Sequence, residues 1–135
     1  MSLHYWLFKH KPYLLDGEDV GIMGIEETES INITHNLNTM AIQCYIQFNE
    51  SGYSQKQISL YDLLWRPLEQ GFRKNNELYL KTLLKLYQQL ENRPEYYKQY
   101  DAENGWGTYE GFLNFVKKAV DLCMEHPDWY INIHR

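Results

Sequence analysis

Two long segments of the chain repeat apolar residues every three or four positions, which predicts two amphipathic helices. The first spans residues 77–92 and the second spans residues 109–125. Pro94 and Pro127 follow the two segments, and proline would interrupt a helix at those positions. The predicted apolar faces comprise Leu80, Leu83, Leu84, Tyr87 and Leu90 in the first helix, and Tyr109, Phe112, Val116, Ala119, Val120 and Cys123 in the second.

A third segment, residues 35–46, has the same spacing and predicts a shorter helix. Thr34 is its expected cap, with Asn36 or Asn38 taking that role if the helix begins later. The polar stretch that follows, residues 48–57, is interpreted as a surface loop.

Short runs rich in β-branched and aromatic residues predict strands near both ends of the chain. Residues 4–9, 20–25 and 31–34 are the N-terminal candidates, and residues 129–134 are the C-terminal one. The first run is nearly apolar throughout, as in a strand covered on both faces. Pro12 is expected to end that strand or to place it at a sheet edge.

Together these patterns predict an α+β fold in one domain covering residues 1–135. A small antiparallel sheet, made of the N-terminal strands plus the C-terminal strand, would be packed by three to four helices. A mostly α-helical bundle with one hairpin is the alternative.

Composition narrows the function classes. The 135 residues carry a net charge of -5, which disfavours direct binding to nucleic-acid phosphates. No signal peptide and no long apolar run is present, so we expect a cytoplasmic protein that does not engage a membrane. Cys44 and Cys123 lie in apolar helical patterns and are expected to be buried thiols, with a disulfide left open. The histidines and glycines match no metal or nucleotide motif, so we predict no metal and no cofactor.

The first polar cluster lies at a predicted strand-to-helix junction. Asn32, Thr34, His35 and Asn36 would present amide, hydroxyl and imidazole groups beside exposed backbone N–H groups, a combination that binds anions. The structural alternative is that Thr34 caps the helix while the asparagines satisfy loop backbone.

The second cluster ends a predicted short helix at residues 58–65, which Pro67 stops. Trp65 and Arg66 stand at that end. Arg66 is suited either to the last carbonyl groups of the helix or to an acidic ligand group, with Trp65 as an aromatic wall.

The third cluster precedes the best-predicted helix. Trp106 lies between Gly105 and Gly107, and Thr108 is the expected helix cap. The stretch is either a packed structural joint or the edge of a binding site in which Trp106 stacks on a ligand.

These clusters, in the order Asn32-Ile33-Thr34-His35-Asn36-Leu37, Leu63-Leu64-Trp65-Arg66-Pro67 and Asn104-Gly105-Trp106-Gly107-Thr108-Tyr109-Glu110, resemble a family of small uncharacterised proteins of bacteria, phages and prophages. The resemblance covers about residues 31–127 and implies an intracellular protein in which the three motifs meet. It marks the following ligand-binding candidates: Asn32, Thr34, His35, Asn36, Trp65, Arg66, Asn104, Trp106 and Tyr109.

Three functions remain open at this level, and the residues alone do not decide whether the protein is an enzyme. The leading hypothesis is a non-enzymatic module that binds a small polar ligand or a protein partner, and its many tyrosines and tryptophans also favour self-association. The second is a hydrolase acting on a nucleotide-like substrate, with His35 as base and Glu110 or Glu103 as acid. The third is an acidic inhibitor that mimics nucleic acid.

Overall fold

A computed structural model of the chain describes residues 2–15, 17–50, 54–103 and 105–135. It confirms an α+β fold in which a small antiparallel sheet of N-terminal strands plus the C-terminal strand packs against several helices. In chain order the elements are β1 (Ser2–Leu15), β2 (Glu18–Glu27), β3 (Ile31–Thr34), a 3-10 turn (His35–Leu37), α1 (Asn38–Gln43), β4 (Tyr45–Glu50), β5 (Ser54–Ser59), α2 (Leu60–Leu64), a 3-10 turn (Pro67–Gln70), α3 (Glu77–Asn92), α4 (Pro94–Lys98), α5 (Tyr109–Glu125) and β6 (Tyr130–His134).

Strand β1 is the centre of the four-stranded sheet. It pairs antiparallel with β3 through its first residues and with β2 through its later ones, and it pairs antiparallel with β6 as well. Phe8 is opposite both Glu27 of β2 and Tyr130 of β6, so these strands lie on opposite sides of β1. Pro12 does not end β1, which runs on to Leu15. Of the strands described, only β2 is opposite Pro12, so this part of the otherwise central strand lies at an edge.

The two faces of β1 differ. Leu3, Tyr5 and Leu7 are fully buried on the side of the helices, whereas His4 and Trp6 alternate with them and are half-buried. The prediction that this strand is covered on both faces is therefore wrong. The apolar residues at even positions were the misleading signal, because aromatic side chains also occupy half-exposed sheet faces.

Helices α3 and α5 have the bounds that the periodicity predicts, and they pack against each other over the sheet. Between them lies a buried polar chain. The Tyr79 hydroxyl donates to the Leu63 carbonyl oxygen at 2.8 Å and lies 2.9 Å from the Tyr5 hydroxyl. Burial raises the pKa of both phenols well above the ordinary value, so they stay neutral.

Both cysteines are buried free thiols, in agreement with the favoured prediction. Burial raises the pKa of Cys44 to about 11 and that of Cys123 to about 12. These thiols are therefore protonated at neutral pH and take a packing role.

The region from residue 35 to residue 59 corrects the sequence interpretation. The predicted helix over residues 35–46 is shorter, because α1 ends at Gln43 and Cys44 is already extended. The predicted loop over residues 48–57 instead contributes to a hairpin of β4 and β5, with residues 51–53 outside the described part. Ile58 consequently lies in a strand, and α2 begins only at Leu60.

Candidate functional site

The first and second motifs meet through one hydrogen bond. The indole N–H of Trp65 donates to Nδ1 of His35 at 3.0 Å. The 3-10 turn at residues 35–37 holds the imidazole in place, because Thr34 Oγ1 accepts the backbone N–H of Asn36 at 3.2 Å. Thr34 is thus a cap, as the structural alternative proposed.

Trp65 is 2% exposed and is packed from two sides. Its ring stacks on Tyr61 at 5.5 Å between centroids and lies 6.3 Å from the ring of Phe112. Burying an indole needs a partner for its N–H group, and His35 supplies it. Trp65 therefore fixes the position of the first motif, and little of its ring is available to a ligand.

Arg66 follows Trp65 and points to the surface, where its side chain is 38% exposed. Its Nε–H donates to the Tyr61 hydroxyl at 3.3 Å, and its Nη1 donates to Glu69 Oε1 at 3.0 Å. Both hydrogen bonds raise the pKa of the guanidinium, and the one to Tyr61 is the largest cause. The group stays cationic, and among the described residues it donates to Tyr61 and Glu69, which leaves other N–H donors for further contacts.

Arg66 borders a cleft of about 250 Å³, called here the Arg66 cleft, which residues 65–69, residues 131–133 and Arg135 line. One wall comes from the end of α2 and the following 3-10 turn, and the other comes from β6. The residues that line the cleft therefore include two arginines, one glutamate and one asparagine, Asn132. Guanidinium groups favour a negatively charged ligand group.

The third motif packs on the first through Gly107. A Cβ atom added at Gly107 would lie 2.9 Å from Cγ of Leu37 and 3.2 Å from Cγ2 of Thr34, which is closer than ordinary contact. The missing side chain thus lets the two motifs touch. Thr108 then caps α5, with Oγ1 accepting the Gly111 N–H at 3.1 Å, as predicted.

Trp106 and Tyr109, the described candidates of the third motif, do not line the Arg66 cleft. Trp106 is 75% exposed and is not among the residues lining the cleft. Tyr109 is buried, and its hydroxyl donates to the Leu90 carbonyl oxygen at 2.7 Å, which ties α5 to the end of α3. Asn104 lies outside the described residues.

The asparagines of the first motif also lie apart from Arg66. Asn32 is exposed and lines a separate cleft of about 210 Å³ together with Asn114 and Lys118 of α5. Asn36 is exposed on the 3-10 turn. The three motifs therefore adjoin through His35, Trp65 and Gly107, while Asn32 and Arg66 line different clefts.

The imidazole of His35 accepts a hydrogen bond at Nδ1. Burial is the largest cause that lowers its pKa, and the positive charge of Arg135 is a smaller one, so the ring is neutral at pH 7. The Trp65 N–H already occupies Nδ1. Among the described residues no carboxylate hydrogen-bonds this ring, and Glu110 instead pairs with Lys98 at 3.6 Å. This arrangement favours a positioning role over proton transfer.

Sequence reasoning missed the part of the cleft that comes from elsewhere in the chain. Tyr61 and Glu69 orient Arg66, and Asn132 and Arg135 complete the opposite wall. Glu69 stands three residues after Arg66, a spacing that signals an ion pair when the segment is helical. The residues of β6 carry no comparable local signal.

No protein-family model matches the chain, and no curated protein and no solved structure matches it significantly. The resemblance described above therefore stays a prediction. Within the described ranges, no helix is long and apolar enough to cross a membrane.

Proposed function

We propose that the protein is a non-enzymatic binding module that holds a negatively charged group of a small polar ligand or a protein partner in the Arg66 cleft. The observation that carries the proposal is the position of Arg66. Its guanidinium is oriented by Tyr61 and Glu69 at the rim of the cleft, with Arg135 among the other lining residues. Such pre-organisation lowers the entropy lost when an anion binds.

The rigid base of the cleft supports the same function. The Trp65–His35 hydrogen bond and the stack of Tyr61 on Trp65 fix the backbone from which Arg66 projects. Binding sites that are held by packed side chains keep their geometry without the ligand. The cytoplasm is the proposed location, in keeping with the resemblance to intracellular proteins.

The two alternative functions have less support. A hydrolase would need an acid beside His35, and that imidazole is engaged with Trp65. An inhibitor that mimics nucleic acid would need a uniform acidic face. Carboxylates of this chain instead pair with lysines at separate places, as Lys9 does with Glu26 and Lys117 with Asp121.

The test is native mass spectrometry of the protein purified at neutral pH, with wild type and Arg66→Ala prepared identically. We expect wild type to retain an anionic species that Arg66→Ala lacks, because the lost guanidinium holds its charge. The thermal midpoint should stay nearly unchanged, since the side chain is at the surface. The same spectra report the number of subunits and so test self-association.

Arg93→Ala is the matched control, because Arg93 is exposed and packs over the ring of Tyr96, outside the cleft. Identical bound species in wild type and Arg66→Ala would refute the proposal. A large fall in the thermal midpoint for Arg66→Ala alone would show that this arginine serves the fold instead.

A further inference from the structure

The direction of the backbone groups in β6 can be read from β1. The carbonyl oxygen of Leu7 accepts the Thr28 N–H at 2.9 Å, and the Leu7 N–H donates to Thr28 Oγ1 at 3.0 Å. Leu7 therefore turns its backbone groups away from β6. Because these groups alternate sides along a strand, those of Trp6 face β6 and pair with Asn132.

The same alternation fixes β6. Asn132 and His134 use their backbone groups on β1, so Ile131 and Ile133 direct theirs to the opposite edge of the sheet. The Ile131 N–H bears this out, because it donates to the Arg73 carbonyl oxygen at 2.8 Å.

A short segment of the chain already pairs with the first part of this edge. Besides the Arg73 contact, the Asn75 N–H donates to the Trp129 carbonyl oxygen at 2.8 Å, and Lys74 forms a bridge with Tyr130. The segment runs antiparallel to β6. The outer edge of β6 therefore accepts an extended chain as a partner.

The pairing stops before Ile133. Gly71 takes a φ of 87° at the end of the 3-10 turn, and Phe72 then turns into the core, with its N–H donating to the Pro67 carbonyl oxygen at 2.9 Å. Within the described ranges, no backbone group pairs with Ile133 on this side. Ile133 is one of the residues that line the Arg66 cleft, and the alternation along β6 directs its backbone groups to this outer edge.

The surroundings of this open position select the charge of an occupant. Among the charged residues that line the cleft, Arg66 and Arg135 are basic and Glu69, which pairs with Arg66, is acidic, so their side chains carry a formal excess of positive charge. A second copy of the chain would bring the same two arginines to the same edge, and like charges would then oppose each other. An acidic chain is attracted instead.

We infer that the Arg66 cleft binds an extended acidic peptide segment of a partner protein, which pairs with the N–H and C=O of Ile133 and places a carboxylate on Arg66. This inference rests on the proposed function and names its partner class. Main-chain hydrogen bonds at a sheet edge would give affinity, and the guanidinium would give specificity.

The test uses three blocked pentapeptides and ¹⁵N-labelled protein. The first alternates valine and glutamate, the second alternates valine and lysine, and the third is the glutamate peptide with every backbone nitrogen methylated. We expect only the first to bind and to slow exchange of the Ile133 amide at least about tenfold, as a new hydrogen bond does. The Asn132 amide already pairs with β1 and should change little.

Two variants separate the backbone contribution from the charge. Ile133→Pro removes the outward N–H, and proline is tolerated at a sheet edge, whereas Ile133→Val keeps the N–H as the matched control. We expect Ile133→Pro to weaken binding about tenfold, the equivalent of one hydrogen bond, and Arg66→Ala at least as much. The methylated peptide removes the opposite donors, the peptide N–H groups that would bind the Ile133 carbonyl oxygen, and so tests the pairing without depending on the folding of a variant.

The outcomes are distinct. Binding that needs Arg66 but tolerates both Ile133→Pro and methylation keeps the proposed function and overturns this inference. If the acidic peptide does not bind while native mass spectra still show an Arg66-dependent anion, the proposed function likewise stands and this inference is overturned. If the peptide does not bind and the spectra show no such anion, the proposed function and this inference are both overturned. An Ile133 amide that is already protected in a dimer, as seen by sedimentation, would assign the edge to a second copy and overturn the inference.

Discussion

The contact at Gly107 gives a quantitative prediction about the junction of the motifs. Replacing Gly107 with alanine adds a methyl group 2.9 and 3.1 Å from two atoms of Leu37 and 3.2 Å from Thr34. Leu37 is fully buried and so cannot swing away. Overpacking of this kind costs about 1–3 kcal/mol.

The backbone offsets part of that cost. The φ of Gly107 is not positive, so alanine fits its backbone and loses less conformational entropy on folding, a gain of about 0.4–1 kcal/mol. The net effect of Gly107→Ala is then a destabilisation of roughly 0–2.6 kcal/mol. For a chain of this size the thermal midpoint should fall by up to roughly 10 °C.

Urea denaturation of four proteins measures the effect: wild type, Gly107→Ala, Leu37→Ala and the double variant. Leu37→Ala alone should cost about 2–5 kcal/mol because it opens a cavity. In the double variant the new methyl group enters that cavity, so the two costs should fall short of additivity by about 1–2 kcal/mol. Additive costs in the double variant, or a Gly107→Ala protein more stable than wild type, would refute the close contact.

Two further predictions concern buried hydrogen bonds. Tyr79→Phe should lower the free energy of unfolding, measured in urea, by about 1–3 kcal/mol, because the Leu63 carbonyl oxygen loses its donor. Tyr87→Phe is the control and should cost less, because the Tyr87 hydroxyl donates to the exposed Glu91. Equal costs would contradict the assigned network. Because the pKa of His35 is lowered in the folded state, the unfolded chain takes up the proton of this imidazole at a higher pH than the folded chain does. The contribution of His35 to the free energy of unfolding is therefore present above about pH 6.5 and is lost as pH falls through the folded-state pKa. The NMR resonance of the Trp65 indole N–H should shift over the same pH range, as Nδ1 of His35 is protonated. His35→Gln should remove both the pH dependence of stability and this shift. A resonance that does not move with pH would count against the hydrogen bond.

The long helices could be predicted because their signal is local. In α3 and α5, apolar residues repeat over four turns or more, and the caps Asn76 and Thr108 stand next to them in the chain. Such patterns survive in almost any tertiary setting, since only one face of the helix is apolar.

The hairpin of β4 and β5 was missed for the opposite reason. Residues 40–45 satisfy a helical spacing, while Tyr45, Ile46 and the residues after them also suit a strand. A run this short fits both periods, and the choice depends on what packs against it. Here Gln89 of α3 donates to the Tyr45 carbonyl oxygen at 2.9 Å, a contact between residues distant in the chain.

In the candidate site, too, features with a local sequence signal could be predicted and contacts between distant residues could not. The three motifs could be picked out from their polar and aromatic residues, but sequence spacing does not say that His35 meets Trp65 or that Gly107 meets Leu37. The wall that β6 contributes was not anticipated, because its residues acquire a role only through the strand register. The nine candidate residues remain a prediction, and of these the proposed binding experiments vary Arg66.

The pairing of β1 with β6 has a consequence for folding kinetics. Tyr5 lies opposite Ile133, so two strands from nearly opposite ends of the described chain must meet before this part of the sheet exists. Contacts so distant in sequence slow folding, because the entropy of closing the loop is lost before the contacts stabilise it. During synthesis on a ribosome, the helices and the pairing of β1 with β2 can form early. The outer edge of β6, and the cleft with it, can be completed only after the last strand has been made.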